Sequence, residues 1–194
     1  MDEGYVKYRA KWINEPIDID SVIFEELNYW RAKYFEKGWI GMYPDGIGFG
    51  NISCRLAENR FLISGSATGG IQDLIKEHYS IVEDYSLSSN WLQSKGQTAA
   101  SSESLSHAAL YENKKNVRCI IHIHNMAIWQ KWKDKLPTTL PSIAYGTPQM
   151  AMELQKRQNK IEAEIGLIIM AGHKEGVIAY GSSHEQLYKA LLSL

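Results

Sequence analysis

Only two cysteines, Cys54 and Cys119, occur in the 194 residues. Both lie inside strand-like runs and read as small buried apolar side chains, which excludes a disulfide framework. No C-x-x-C pair is present, so a zinc-finger module is excluded as well. No stretch is long and apolar enough to span a bilayer. Residues 1–11 are polar and lack the apolar core of a signal peptide, so the expected compartment is the cytoplasm. The net charge is −1, which gives no electrostatic case for nucleic acid or an anionic membrane. Lys114-Lys115 and the 131–135 stretch read as solvated surface. A nucleotide site is also missing. The glycines of 46–50 lack G-x-G-x-x-G spacing and run into a strand, and the Gly/Ser/Thr loop at 64–70 has no P-loop lysine. Asn51-Ile52-Ser53 matches a glycosylation sequon, which has no meaning without secretion.

What is present suits one domain over residues 1–194. A hydrophobic fraction of 44% supports a core, and the six Trp and eleven Tyr divide between that core and an oligomer contact. Asp18 or Asp20 caps a predicted helix that runs to about Lys37 and ends at Gly38. Strands are predicted at 51–56, 61–63, 80–87 and 90–94, then a helix starting near residue 101. A strand at 117–124, a helix at 125–133 and a loop at 137–141 follow. Thr147-Pro148 opens a helix to about Lys160. Strands at 165–171 and 177–180 precede a last helix, for which Ser183 and Gln186 form a capping box and Leu187, Ala190, Leu191 and Leu194 one face. There is no repeat and no linker. Interleaved helices and strands indicate an α/β layered domain.

The chemistry concentrates at His122-Ile123-His124. Side chains alternate along a strand, so His122 and His124 share a face, with Cα atoms about 6.5–7 Å apart. Both imidazoles can then reach one ion. Val117, Cys119, Ile121 and Ile123 are expected on the opposite, core-facing side. His173 ends the next apolar run and can supply a third nitrogen. A pair of hydrogen-bonded core histidines explains H-x-H equally well. Two other H-x-H patterns fail: Met126 stands where a metallo-hydrolase needs Asp, and Ile128-Trp129 where a cupin needs Glu.

Glu103 tips that balance. It lies nineteen residues before His122, in the segment Ala100-Ser101-Ser102-Glu103-Ser104-Leu105. Ser101 or Ser102 is the expected helix N-cap, and Leu105, Ala108 and Ala109 form an apolar face. Glu103 is expected in the first turn, where the helix dipole favours a carboxylate whatever its role. Serine hydroxyls beside free backbone N–H groups make such a terminus an anion site.

The ordered set Gly50-Asn51-Ile52-Ser53-Cys54-Arg55, Phe61 to Gly69, Ser101-Ser102-Glu103, His122-Ile123-His124-Asn125 and Gly172-His173 resembles the class II aldolase/adducin family over roughly residues 20–194. The family includes fuculose-phosphate aldolase and ribulose-phosphate 4-epimerase. The resemblance implies a three-layer α/β/α sandwich around a largely antiparallel sheet. It implies that His122, His124 and His173 bind a divalent ion, usually Zn2+ and sometimes Mn2+, Co2+ or Fe2+, and that Glu103 is the acid/base carboxylate. It implies further that Gly50, Asn51, Thr68, Gly69, Ser101 and Ser102 hold a substrate phosphate. Because the loop at 64–70 is longer than in the sugar-phosphate aldolases, Ser64-Gly65 or Ser66 are alternatives to Thr68-Gly69. The expected partner is a small phosphorylated molecule, and the expected assembly a homotetramer with sites between subunits.

The residue types suit that chemistry. Cleaving a bond beside a ketose carbonyl passes through an enediolate, which a chelating divalent ion stabilises as a Lewis acid. Neutral imidazoles leave the ion its net positive charge, and three protein ligands leave positions open. A positioned carboxylate moves the proton, worth about 10²–10⁴-fold in rate. The expected function is therefore a metal-dependent, aldolase-type lyase acting on a small phosphorylated ketose or related hydroxy-ketone. An epimerase, dehydratase or decarboxylase of the same fold is the alternative, and a non-catalytic adducin-like interaction module the second. His173 follows His124 by 49 residues, a shorter interval than in the sugar-phosphate aldolases. Tyr145, near the family's Tyr-containing loop, reads as a buried structural residue ahead of a proton donor. The sequence ends at Leu194, where those aldolases continue with a Tyr-bearing segment, so the substrate beyond its phosphate is left open.

Overall fold

A computed structural model describes residues 6–194. An eight-stranded sheet runs through it in the order β1-β7-β6-β5-β4-β8-β10-β9. The strands are β1 (Arg9–Ile13), β4 (Asn51–Arg55), β5 (Phe61–Ser64), β6 (Tyr79–Ser86), β7 (Trp91–Lys95), β8 (Cys119–His124), β9 (Gly166–Ile169) and β10 (Gly176–Gly181). Every pairing in the sheet is antiparallel except β1 with β7, which is parallel. A small separate hairpin joins β2 (Gly41–Met42) to β3 (Gly48–Phe49).

Helices cover both faces. On one side lie α1 (Ser21–Glu36), α3 (Met126–Trp132) and α5 (His184–Leu192); on the other lie α2 (Ser104–Asn113) and α4 (Pro148–Gln158). Each face buries its own cluster. Leu27 and Tyr34 of α1, Ile128 of α3, and Leu187 and Leu191 of α5 pack with Ile52, Leu62, Cys119, Ile121, Ile123 and Val177. Leu105, Ala108 and Tyr111 of α2, with Met150 and Leu154 of α4, pack with Phe61, Ile63, Ile120, Ile168 and Ile178. A fully buried Leu or Ile contributes about 1.5–3 kcal/mol, so two such layers are enough to hold the sheet. The expected three-layer sandwich with a largely antiparallel sheet is the observed architecture.

Capping sets the helix ends. Asp20 accepts from the Val22 N–H at 2.8 Å and starts α1, while Gly38, at φ +66°, ends its chain direction. Asn125 caps α3 and Thr147 caps α4, whose first residue is Pro148. Only half of the expected capping box forms at α5. Ser183 accepts from the Gln186 N–H, but the Gln186 side chain turns to the Ser182 hydroxyl instead.

Two expectations are corrected. Residues 1–11 are read from the sequence only as polar, with no strand, yet Arg9–Ile13 forms the parallel edge strand, held in part by Trp12 donating to the Gly96 carbonyl at 2.7 Å. Its side chains are almost all exposed, so it leaves no alternating pattern to detect. Val117 precedes β8 and packs in the α2/α4 cluster, not with Cys119, Ile121 and Ile123. The strict alternation begins only where the strand ladder does, at Cys119. No helix among the described residues is long and apolar enough to cross a membrane.

Candidate metal centre and anion pocket

The alternation of β8 determines where its histidines go. Cys119, Ile121 and Ile123 face α1 and α5, so Ile120, His122 and His124 face the α2 side. β8 lies between β4 and β10, with His122 opposite Asn51 on one flank and Ile178 on the other. The turn at 170–176 between β9 and β10 brings in His173 and is closed by His173 N–H to Met170 O (3.0 Å) and Gly176 N–H to His173 O (2.9 Å). Gly176, opposite His124, gives the rings room. A Cβ there would stand 3.1 Å from both His122 Cε1 and His173 Cγ.

His122, His124 and His173 are all buried, and one ring nitrogen from each lies within 4.8 Å of the others. Nε2 of His122 is 3.0 Å from Nε2 of His124. Burial, and then the neighbouring imidazoles, hold His122 and His124 well below the usual histidine range. Each is therefore neutral near pH 7, the form that coordinates a cation. Three converging ring nitrogens in a buried pocket fit a divalent ion, and a set of three protein ligands leaves coordination positions open.

Glu103 enters from the start of α2. Its Oε1 lies 3.9 Å from His173 Nδ1, and its Oε2 accepts from the Ser106 hydroxyl at 2.6 Å. The sequence expectation placed Glu103 in the first helical turn after a serine cap. It occupies the cap position itself, because a turn intervenes. Ser101 O accepts both the Ser104 N–H (3.0 Å) and the Ser104 hydroxyl (2.6 Å), and Ser101 Oγ accepts from the Glu103 N–H at 3.3 Å. From that turn one carboxylate oxygen faces His173 while the other stays on Ser106 of the helix.

One cavity joins Glu103 and His122 to every residue assigned to the phosphate site: Gly50, Asn51, Thr68, Gly69, Ser101 and Ser102. Gly65 and Ser66 line it too, so the 64–70 loop and the serine pair face one space. Ser64 does not line it; its hydroxyl accepts from the Ile52 N–H at 3.1 Å. Among the described residues, no lysine or arginine lines the cavity. The Asn51 Oδ1 is buried without a hydrogen bond among the described residues, which leaves it for a ligand. Gly50 is required by its backbone, at φ +75°, and Gly69 by proximity, since a Cβ there would lie 2.3 Å from Gly41 O.

Around the site, Arg31, Tyr43, Glu175 and Tyr8 are not marked by the sequence reading, whereas Tyr145 is. Arg31, fully buried on α1, donates to the carbonyls of Thr68 (3.1 Å), Gly69 (3.0 Å) and Gln72 (2.7 Å), and so braces the anion loop from behind. Tyr43 bonds His124 and Glu175. Tyr145, read as structural, stacks on the His173 ring at 4.2 Å and 19°, with the Lys7 ammonium 3.8 Å from its own ring centre. Tyr8 donates to Ser101 O at 3.1 Å. Of the other four, only Arg31 carried a signal, as a charge on the buried side of an amphipathic helix, flanked by Leu27 and Tyr34.

Comparison with known proteins places the chain in a family. Residues 32–194 match the family described as Class II Aldolase and Adducin N-terminal domain. No curated protein matches by sequence. Among solved structures, the fold is similar to YgbL from Klebsiella pneumoniae, a candidate aldolase/epimerase/decarboxylase, with TM-score 0.66 and 17% identity over 89% of this chain and 84% of that one. It is similar to L-fuculose 1-phosphate aldolase, with TM-score 0.62 and 19% identity over 85% and 77%. The enzyme of that name from Glaciozyma antarctica PI12 gives TM-score 0.58 and 14% identity over 88% and 70%. At these identities the structural likeness speaks for the fold, and the family match over 32–194 speaks for descent: the chain belongs to the class II aldolase and adducin family.

Proposed function

We propose that this protein is a divalent-metal-dependent lyase of the aldolase type, acting on a small phosphorylated ketose or related hydroxy-ketone. The observation that carries the reading is the shared cavity. Glu103 and His122 stand at one part of its wall, and Gly50, Asn51, Thr68, Gly69, Ser101 and Ser102 form a neutral cradle in another. A phosphate seated there would place the adjoining carbons of the substrate beside Glu103.

His122, His124 and His173 would hold the ion, which supplies Lewis acidity when bound. Glu103 removes or returns the proton at the substrate carbon or hydroxyl, with Ser106 holding its second oxygen still. The cradle fixes the phosphate with backbone and hydroxyl groups, while Arg31 keeps the loop carbonyls turned away from the anion. Burial of all three imidazoles and of Glu103 keeps bulk water from the reacting carbon. A homotetramer with sites shared between subunits belongs to the same proposal, with the cytoplasm as its compartment and residues 1–194 acting as one domain.

An epimerase, dehydratase or decarboxylase reaction on the same metal centre is the second reading, favoured by the likeness to YgbL. A purely adducin-like binding role has the intact triad and its neighbouring carboxylate against it. The test is a panel of phosphorylated ketoses offered to the zinc-loaded protein, with aldehyde and ketone products separated from epimers and dehydrated products. Release of two carbonyl fragments, abolished by chelator, supports the lyase. Epimer or dehydration product alone moves the assignment to the second reading. A protein that never binds zinc contradicts both.

A further inference from the structure

We propose that Tyr43 and Glu175 form a hydrogen-bonded relay that fixes His124 as a metal ligand and sets the affinity of the centre. The inference rests on the reading of His122, His124 and His173 as a metal site. It adds two positioning residues that touch neither substrate nor ion.

The Tyr43 hydroxyl lies 2.8 Å from His124 Nδ1 and 2.9 Å from Glu175 Oε2. A carboxylate only accepts, so the phenol donates its proton to Glu175. The phenol oxygen then accepts from Nδ1–H of His124. That assigns the tautomer: the proton sits on Nδ1 and the lone pair on Nε2. Nε2 is the nitrogen that stands 3.0 Å from Nε2 of His122, inside the triad. The relay thus turns the basic nitrogen toward the centre and anchors the other side of the ring. Phe49 packs against both partners, with ring centres 4.5 Å from Tyr43 and 5.3 Å from His124, stacked on the latter.

The backbone gives an independent reason. Glu175 holds φ +69°, a left-handed conformation that glycine adopts at no steric cost and glutamate does not. Strain of this kind persists where the side chain has a task. The turn that presents His173 therefore presents, two residues later, the carboxylate that orients His124. The Glu175 carbonyl accepts from the Asn125 N–H at 2.9 Å and ties this turn to the end of β8. Partners on the far nitrogen of a metal-binding histidine typically change metal affinity by about 10–100-fold.

The test is zinc affinity measured by competition with a chromophoric chelator, for the full chain and for Tyr43→Phe and Glu175→Gly. The visible absorption of the cobalt-substituted proteins and the melting temperature of the metal-free ones are the accompanying readouts. Both variants are expected to bind zinc about 10–100-fold more weakly and to alter the cobalt spectrum. Metal-free Tyr43→Phe should melt close to the parent, because the ring contacts with Phe49 remain. Metal-free Glu175→Gly should melt higher, because glycine relieves the strained turn. Affinities within twofold of the parent would overturn the relay while leaving the metal centre standing. Weaker binding with a lower melting temperature in both variants would assign the pair to support of the fold and overturn the relay too. A parent chain that binds no zinc would remove the metal centre itself, and the relay with it.

Discussion

The two oxygens of Glu103 have different neighbours: Oε2 accepts from the Ser106 hydroxyl at 2.6 Å, and Oε1 points to His173 Nδ1, 3.9 Å away. Ser106 lies one helical turn along α2, so the hydrogen bond sets the rotation of the carboxylate plane. Replacing Ser106 by Ala should leave zinc stoichiometry intact and lower kcat by about 10–100-fold, the value of one hydrogen bond to a charged group at about 1.5–3 kcal/mol. Steady-state kinetics with metal analysis on the same preparation checks this. An unchanged kcat would remove Ser106 from the account.

Arg31 faces three carbonyls of the 68–72 segment. Lysine at that position keeps the charge but lacks the planar fork that reaches all of them. Arg31→Lys should therefore raise KM for a phosphorylated substrate several-fold with a smaller change in kcat. Arg31→Ala should leave those buried carbonyls unpaired and lower stability by about 3 kcal/mol or more. Kinetics for the first and urea unfolding for the second are the measurements.

Two glycines at positive φ separate strain from crowding. Gly38, at φ +66°, has nothing within 4 Å of a built Cβ, whereas at Gly50, with φ +75°, a Cβ would stand 2.9 Å from Trp39 O. Gly38→Ala should cost about 1 kcal/mol, the left-handed penalty alone. Gly50→Ala adds a backbone clash, should cost about 2–4 kcal/mol, and should weaken substrate binding because Gly50 lines the cavity. Equal losses at the two positions, read from denaturant midpoints, would contradict the crowding at Gly50.

Buried neutral histidines make the metal-free fold sensitive to acid. Burial pushes His107 down to about 3 and His184 down to about 4, and holds His122 and His124 well below the ordinary range. An unfolded histidine titrates near 6.5, so below that pH the unfolded chain binds protons that the folded chain refuses. Stability from these groups is complete above about pH 6.5 and falls as pH drops toward the folded values, by about 1.4 kcal/mol per pH unit for each histidine. Urea unfolding of the metal-free protein between pH 7 and pH 5 should show that decline. A flat profile would mean the histidines are not buried in neutral form.

Much of the site was legible because it follows from short-range rules. The period of two along β8 puts His122 and His124 on one face, and the order of Asn51, Glu103 and His173 in sequence is the order in which β4, α2 and the β9–β10 turn reach them. The errors arose where a local rule met a tertiary one. Ser101 was an obvious cap by type, yet its carbonyl is engaged by Ser104, and the helix starts after Glu103. Val117 continued the apolar pattern of β8, yet it lies before the ladder. Arg9–Ile13 exposes nearly every side chain and pairs with β7 along its backbone, leaving composition silent. Tyr43 reaches His124 from a loop, with Glu175 bonded behind it, and no spacing rule connects a loop residue to a strand 81 residues away.

The central claim is that one buried centre of three histidines works with Glu103 as its proton carrier. Glu103→Gln, loaded with zinc and assayed beside the parent chain on the substrate that the ketose panel identifies, tests it most directly. The account predicts equal zinc per chain and a kcat lower by about 10²–10⁴-fold. Full turnover in Glu103→Gln at equal zinc content would contradict it.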